Sequence, residues 1–147
     1  MKRETNAVQR VIACVIRARG KVLLCRRPLE KQHGGLWEFP GGKCEAGESD
    51  QETVHRELRE ELGVQSVGCT GSPLFTHCEP GSRFMIAFVP VTISDNPRAI
   101  EHSEIRWLTR TEITSLELAP SDAAFVRFMD TCKWQFPEEE NDASSGA

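Results

Sequence analysis

The sequence has no tyrosine, no long apolar run and no closely paired cysteines, and these absences narrow what the chain can be. No apolar segment approaches the ~20 residues of a membrane-spanning helix, which excludes a helical membrane protein. None of the six cysteines forms a C-x-x-C pair or joins a histidine at zinc-ligand spacing, which argues against a zinc module. The polar start of the chain shows no signal peptide, and we expect reduced cysteines in a cytoplasmic protein.

Positive charge is also scarce. Eighteen Lys and Arg residues stand against 22 Asp and Glu residues, which gives a formal net charge of -4. A mildly acidic protein has no global attraction for nucleic-acid phosphates, so we expect no stable nucleic-acid partner. If the chain handles a polyanion, it needs local arginines or a bound cation. Its 147 residues, 39% hydrophobic and 27% charged, match one globular domain.

The segment patterns mix strands and helices without strict alternation. They predict strands at 8–17, 21–26, 36–39, 67–76, 83–93 and 104–108, and helices at 50–62, 111–116 and 121–134. This order predicts an α/β fold, in which a mixed sheet carries helices on both faces. We expect a single domain over 1–136 and a disordered acidic tail over 137–147. The Gly- and Pro-rich stretch 28–47 is predicted to be a long loop, and such loops usually have a function.

Three glutamates on the helix predicted at 50–62 point to chemistry. Val54, Leu58 and Leu62 form an apolar stripe along this helix. At 3.6 residues per turn, Glu57, Glu60 and Glu61 fall within about 100° of arc beside that stripe. Carboxylates at this spacing repel one another, and a hard divalent cation such as Mg²⁺ would offset the repulsion. A solvated charged face is the ordinary alternative. The Pro-Gly-Gly segment at 40–42 favours a metal site, because glycines let the backbone approach a ligand closely.

Residues 42–64, GKCEAGESDQETVHRELREELGV, resemble the 23-residue Nudix box. Every constrained position of that box is matched, namely by Gly42, Glu48, Arg56, Glu57, Leu58, Glu60, Glu61, Gly63 and Val64. Segments outside the box resemble the MutT-like branch and its bacterial CTP pyrophosphohydrolase relatives, so the similarity covers roughly residues 8–134. The resemblance implies the Nudix fold, an α/β/α sandwich with a mixed β-sheet. It also implies Mg²⁺-dependent, or Mn²⁺-dependent, water attack on a pyrophosphate.

The resemblance further implies a metal site and the residues around it. The implied metal ligands are Glu57, Glu60, Glu61 and the Gly41 carbonyl oxygen. Glu48 would support this cluster, and Arg56 would pair with Glu48 or its neighbours. Glu101 matches a loop carboxylate of MutT-like enzymes and is a candidate general base or ligand. A plain surface carboxylate is its alternative.

The residues implied in substrate binding are Arg27, Phe39, Lys43, Arg83 and Asp122. The two arginines would supply the positive charge that a triphosphate requires, unless they are ordinary surface arginines. Phe39 would lie near the base or else belong to the core. Asp122 stands where the branch specific for oxidised guanine has an amide. An ionised carboxylate only accepts hydrogen bonds, which favours a donor-rich base edge and leaves cytidine nucleotides open. A helix cap or first-turn acid is its alternative.

The leading hypothesis is a Mg²⁺-dependent nucleoside triphosphate pyrophosphohydrolase that sanitises the nucleotide pool and acts as a monomer or homodimer. Hydrolysis of ADP-ribose or of another nucleoside diphosphate derivative is a rival, because Pro80 lies where some ADP-ribose-cleaving members carry a proline. The absence of tyrosine argues against diadenosine polyphosphate hydrolases. Removal of pyrophosphate from RNA 5′ ends stays an alternative, although the sequence has no basic stripe for RNA. A non-catalytic ligand sensor is the alternative from another class. Such sensors usually lose box glutamates, and none is missing here.

Overall fold

The computed structural model describes residues 7–64, 67–69 and 72–136. Within these ranges the helices and strands follow one another along the chain as β1 (Gln9–Ala18), β2 (Lys21–Arg26), β3 (Trp37–Glu38), β4 (Gly41–Lys43), α1 (Asp50–Leu62), β5 (Val67–Cys69), β6 (Phe75–His77), β7 (Phe84–Ile93), β8 (Glu104–Leu108), α2 (Arg110–Ile113) and α3 (Pro120–Thr131). No helix of the described part of the chain is long and apolar enough to cross a membrane.

Strand β1 lies at the centre of a mixed sheet. It runs parallel to β7, with Gln9 opposite Phe84 and Ile16 opposite Val91. It also pairs antiparallel with β4 near its start and with β2 at its end. Strand β2 pairs antiparallel with β3 and with β8. Strand β7 pairs antiparallel with β5 and with β6. The predicted mixed sheet is therefore confirmed.

The sheet is buried on both faces, which explains the continuous apolar sequence of its central strands. Alternate residues of β1 enter two different cores. Ile12, Cys14 and Ile16 share a core with α1, whereas Ala13 and Val15 share one with α3. Helices thus cover both faces, and the predicted α/β/α sandwich is confirmed.

Helix α1 begins and ends at the residues that the sequence indicates. The Ser49 hydroxyl accepts a hydrogen bond from the Glu52 N–H at 3.1 Å, and the Glu52 carboxylate accepts one from the Ser49 N–H at 2.9 Å. This reciprocal capping box satisfies two N–H groups that an open helix end would leave unpaired. Gly63 ends the helix with a φ of 70°, in the left-handed region that favours glycine. Both ends of the glutamate-bearing helix are therefore fixed.

Several predicted boundaries are wrong. The segment 67–76 forms two short strands, β5 and β6, which pair with different parts of β7; residues 70 and 71 between them lie outside the described part. The predicted loop 28–47 contains β4, which was missed because glycine weakens strands and only pairing with β1 makes this one. Helices α2 and α3 end three residues before the predictions. The tail predicted at 137–147 lies outside the described residues.

All six cysteines are free, as expected from their spacing. Cys14 and Cys25 are fully buried, and burial raises the pKa of both thiols well above the ordinary value. They therefore pack as small apolar side chains.

Leu58 offers a direct test of the core beneath α1. Its side chain is fully buried, and its neighbours include Val54 and Leu62 of the same helix. We expect Leu58→Ala to lower the free energy of unfolding by about 2–5 kcal/mol, because the lost methyl groups leave a cavity. Urea denaturation measures this loss. Leu29→Ala is the matched control, since Leu29 is 79% exposed and should change stability by less than about 0.5 kcal/mol. Equal effects in the two variants would contradict the packing described here.

Candidate active site

The site is built on close packing between the backbone of β4 and helix α1. A Cβ at Gly42 would overlap the carboxylate of Glu57, and a Cβ at Gly41 would overlap the carbonyl oxygen of Ile12. Gly41 also has a φ of 149°, which side chains rarely adopt. Gly41 therefore requires glycine, whereas a side chain at Gly42 would push the Glu57 carboxylate aside. The Glu57 carboxylate therefore lies directly against the strand that precedes the helix.

Arg56 holds the carboxylates of this region together. Its Nε and Nη2 donate to the two oxygens of Glu48 at 2.6 and 2.9 Å, which is a bidentate pair. Its Nη1 donates to Glu57 at 3.0 Å and lies 3.6 Å from Glu60. Its Nη2 also donates to the Lys43 carbonyl at 2.9 Å. The structure thus pairs Arg56 with Glu48, as the sequence predicts.

Glu48 supports the cluster and stays ionised. Hydrogen bonds from Arg56, and then one from the backbone N–H of Glu45, lower the pKa of Glu48 to about 2. Thr53 Oγ1 donates a further bond at 2.8 Å. Since Glu48 is fixed by these donors, it in turn fixes the orientation of Arg56.

Glu61 is the buried member of the three helix glutamates. It is 5% exposed, and its Oε1 accepts a hydrogen bond from the Gly41 N–H at 3.3 Å. Burial, followed by a hydrogen bond to Glu57 and the charge of that carboxylate, raises the pKa of Glu61 well above its ordinary value. Two touching carboxylates with little access to water need a proton or a cation between them. Glu60, by contrast, has a half-exposed side chain.

This donor set fits a hard divalent cation. Carboxylate and carbonyl oxygens are the ligands that Mg²⁺ prefers, and Glu61 is buried against Glu57 with only the Gly41 N–H as a donor, because Arg56 reaches Glu57 instead. Among the described residues, no three His, Cys, Asp or Glu side chains converge into a closed metal cage. Mg²⁺ does not require one, because it commonly takes one or two carboxylates together with water and substrate phosphates. Which of Gly41, Glu57, Glu60 and Glu61 bind the ion remains a prediction.

Two cavities share three lining residues, and the second of them is lined by Glu61. The first, of about 360 Å³, is largely apolar, and its lining includes Phe39, Lys43, Phe84 and Asp122. The second, of about 400 Å³, is strongly charged, and its lining includes Lys31, Glu61, Glu101 and His102. Arg27, Glu38 and Gly41 line both cavities. An elongated ligand with an apolar end and an anionic end can therefore occupy the two together.

Asp122 lies at the wall of the first cavity and is 8% exposed. Its Oδ1 accepts a hydrogen bond from the Phe39 N–H at 2.9 Å, and burial raises its pKa to about 8. Near neutral pH the carboxyl is therefore mostly protonated, so it both donates and accepts, as an amide does. The sequence argument for a donor-rich base assumed an ionised carboxylate, and burial changes that premise. Asp122 is a first-turn acid of α3, whose N-cap is Ala119.

The ring of Phe39 belongs to the core. It is 4% exposed and packs edge-on against Phe88 and Phe125, with centroids 5.9 and 5.2 Å away. The structure thus favours the core alternative for the ring, while the residue still lines the first cavity and its backbone N–H holds Asp122. Stacking of this ring on a base remains a prediction.

The predicted basic residues occupy different places. Arg27 lies between the two cavities, where its Nη1 is 3.2 Å from Glu38 Oε2. Lys43 lines the first cavity, with Nζ 5.2 Å from the centre of the Phe84 ring. Arg83 lies 5.4 Å from the same ring and is not among the residues that line either cavity. The exposed carboxylate of Glu101 lines the second cavity.

Two residues of the site were missed by the sequence argument. Glu38 is shared by both cavities and contacts Arg27 as well as His102, whose Nε2 lies 2.9 Å from Glu38 Oε2. His102 has a side chain that is only 8% exposed. A signal for Glu38 exists, because a charged residue between the buried Trp37 and Phe39 needs a polar partner. Glu101-His102 is a pair that resembles the MutT-like branch, but the sequence argument assigned no role to His102.

Residues 7–129 match the family model described as the NUDIX domain. A similar curated protein is the CTP pyrophosphohydrolase of Escherichia coli (strain K12), 36% identical over 115 residues that cover 76% of this chain and 84% of that protein. The 8-oxo-dGTP diphosphatase of Proteus vulgaris is 39% identical over 71 residues, covering 48% of this chain and 63% of that protein. The solution structure of the E. coli ORF135 protein matches with a TM-score of 0.67 and 35% identity, over 84% of this chain and 90% of that one.

The raised pKa of Asp122 predicts a pH-dependent contribution to stability. Folding raises this pKa from its ordinary 3.8 to about 8, so the folded chain holds a proton that the unfolded chain releases between these values. The contribution is fully present below pH 3.8 and is lost as the pH rises toward 8. We expect the unfolding free energy of Asp122→Asn, relative to the wild type, to rise by on the order of 1 kcal/mol or more from pH 5 to pH 8. Denaturant titrations at both pH values measure this difference. A pH-independent difference would contradict a protonated Asp122.

Proposed function

Because the chain belongs to the Nudix family of hydrolases, we propose that it is a Mg²⁺-dependent nucleoside triphosphate pyrophosphohydrolase. Its products would be a nucleoside monophosphate and pyrophosphate. One observation carries the proposal: Arg27, Glu38 and Gly41 join an apolar cavity to a charged cavity that reaches Glu61. A nucleotide has the same polarity along its length, with a base at one end and phosphates at the other.

In this reaction the chain's residues position the substrate and handle a proton. Glu57, Glu60, Glu61 and the Gly41 carbonyl would hold Mg²⁺, which supplies charge neutralisation on the phosphates and lowers the pKa of bound water. The Glu48–Arg56 pair keeps Glu57 in place. Arg27 binds phosphate oxygens at the junction of the cavities. Glu101, exposed at the second cavity, accepts the proton of the attacking water. A new O–P bond forms as the bridging P–O bond breaks.

The base that best fits the first cavity presents a donor and an acceptor to Asp122. Cytosine does so, since its exocyclic amine donates and its ring nitrogen accepts. A carboxyl that is mostly protonated near neutral pH can satisfy both groups. The similarity to a CTP pyrophosphohydrolase supports cytidine nucleotides, and the similarity to an 8-oxo-dGTP diphosphatase keeps oxidised guanine as the competing base.

Pro80 has a local structural role that is independent of any substrate. The Ser82 N–H donates to the Glu79 carbonyl at 2.9 Å, and Gly81 has a φ of 80°. Proline followed by a glycine with positive φ is typical of a type II β-turn. Pro80 therefore gives no support to ADP-ribose as the substrate.

A screen for pyrophosphate release tests the reaction. With saturating Mg²⁺, normal and oxidised nucleoside triphosphates and ADP-ribose are each offered to the protein. We expect release from one or a few triphosphates, and we expect Glu60→Gln to lower kcat by roughly 10²-fold or more while nucleotide binding persists, because charge is lost where the metal is held. Glu117→Gln is the matched control, because the Glu117 side chain is exposed and lines neither of the two cavities. Cleavage of ADP-ribose alone, or full activity in Glu60→Gln, would refute the proposal.

The base preference can be tested through Asp122. Asn keeps a donor and an acceptor, but its amide N–H replaces the carboxyl O–H that Asp122 presents near neutral pH, and the MutT-like branch specific for oxidised guanine has an amide at this position. We expect Asp122→Asn to lower the ratio of kcat/KM for CTP over 8-oxo-dGTP by about tenfold, equivalent to ~1.4 kcal/mol. Asp130→Asn on the same helix is the control, because Asp130 pairs with Arg110 on the surface. An unchanged ratio would remove Asp122 from base selection.

A further inference from the structure

His102 has a buried ring nitrogen without a hydrogen-bond partner in the described part of the chain. That nitrogen is Nδ1, and Glu61 Oε1 lies 3.9 Å from it, too far for a hydrogen bond. Buried polar atoms are nearly always paired, so an unpaired one in a native site calls for an explanation. The other ring nitrogen, Nε2, has a close contact with Glu38 Oε2 at 2.9 Å.

The contact with Glu38 determines the state of the ring. A carboxylate can only accept a hydrogen bond, so Nε2 carries the proton that forms this one. In the neutral imidazole Nδ1 is then an acceptor, and Glu61 Oε1 at 3.9 Å is too far away to pair with it. The ring thus satisfies Glu38 and leaves its own second nitrogen unsatisfied.

The backbone around His102 holds the ring in this position. The Ile100 N–H donates to the Glu61 carbonyl at 3.1 Å, and the Ser103 N–H donates to the Arg26 carbonyl at 3.0 Å. These bonds fasten the segment to α1 on one side of His102 and to β2 on the other. The backbone that carries His102 is therefore anchored on both sides, and the bond from Nε2 to Glu38 sets the direction of the ring.

The geometry of Glu38 shows what this arrangement achieves. A single nitrogen of Arg27, Nη1, lies 3.3 Å from Glu38 Oε1 and 3.2 Å from Oε2. A bidentate pair would instead place two parallel N–H groups of the guanidinium on the two oxygens. Arg27 Nε donates instead to the Gln32 carbonyl at 2.7 Å, and the His102 bond to Oε2 fixes where Glu38 lies against the guanidinium. Without it, Glu38 would be free to occupy the guanidinium that a phosphate needs.

We propose that His102 is a positioning residue that restrains Glu38 and thereby keeps Arg27 available to an anionic ligand at the junction of the two cavities. This inference rests on the proposed function of the same site. The chain of contacts runs from His102 through Glu38 to Arg27, and it does not require His102 to touch the substrate. Loss of His102 should therefore weaken ligand binding rather than slow the chemical step.

Two amide variants separate this role from simple packing. In His102→Gln the amide nitrogen lies near the place of Nε2 and can still donate to Glu38, whereas the shorter side chain of His102→Asn cannot reach it. We expect His102→Gln to keep KM for the preferred triphosphate within about 2-fold of the wild type. We expect His102→Asn and His102→Ala to raise KM about tenfold, with kcat changed less than about 3-fold. Equal KM values in the Gln and Asn variants, or a loss confined to kcat, would overturn the proposal.

A binding measurement keeps the test independent of catalysis. Inorganic tripolyphosphate is titrated calorimetrically into the wild type and each variant, and we expect about tenfold weaker binding in His102→Asn than in His102→Gln. If the wild type cleaves no triphosphate but this difference appears, the proposed function fails and the role of His102 stands. If the wild type cleaves a triphosphate but both variants bind tripolyphosphate equally, the proposed function stands and the role of His102 fails. His55→Gln, which removes a partly buried histidine of α1 outside the site, is the matched control.

Discussion

The contact between the Gly41–Gly42 backbone and helix α1 is the constraint on which the rest of the site depends. It brings the Glu57 carboxylate onto β4 and lets the Gly41 N–H reach Glu61. A side chain at Gly41 would overlap the backbone of β1, and one at Gly42 would displace the Glu57 carboxylate from its place against β4. The capping box and Gly63 then fix how far α1 extends, so the positions of its glutamates follow from its ends.

Repulsion among the clustered glutamates destabilises the folded chain, and the neighbouring residues offset this repulsion unequally. Arg56 compensates Glu48 and Glu57, whereas Glu61 is buried against Glu57 with a neutral backbone N–H as its donor. A raised pKa at Glu61 is the physical sign of this uncompensated repulsion. Sites that bind cations commonly show such unrelieved negative charge, because the ligand completes the balance.

Much of this could be predicted from the sequence, because local patterns carry it. Helix α1, its caps and the glutamate spacing follow from 3.6-residue periodicity, and the apolar runs of β1 and β7 follow from burial on both faces. Strand β4 and the split into β5 and β6 could not be predicted, since both arise from pairing with distant strands. The protonation of Asp122 and the roles of Glu38 and His102 depend on burial and on contacts between remote segments, which no local pattern encodes.

The position of Glu38 has a consequence for how such a site can change during evolution. Because this one carboxylate forms part of the wall of both cavities, a substitution that reshapes the base end also moves a neighbour of the phosphate end. New base preferences are therefore reached most easily through residues confined to the first cavity, such as Lys43, Phe84 or Ser121. Related chains with different substrates should accordingly differ at the residues that line only the first cavity, while Glu38, which lines both cavities, stays the same.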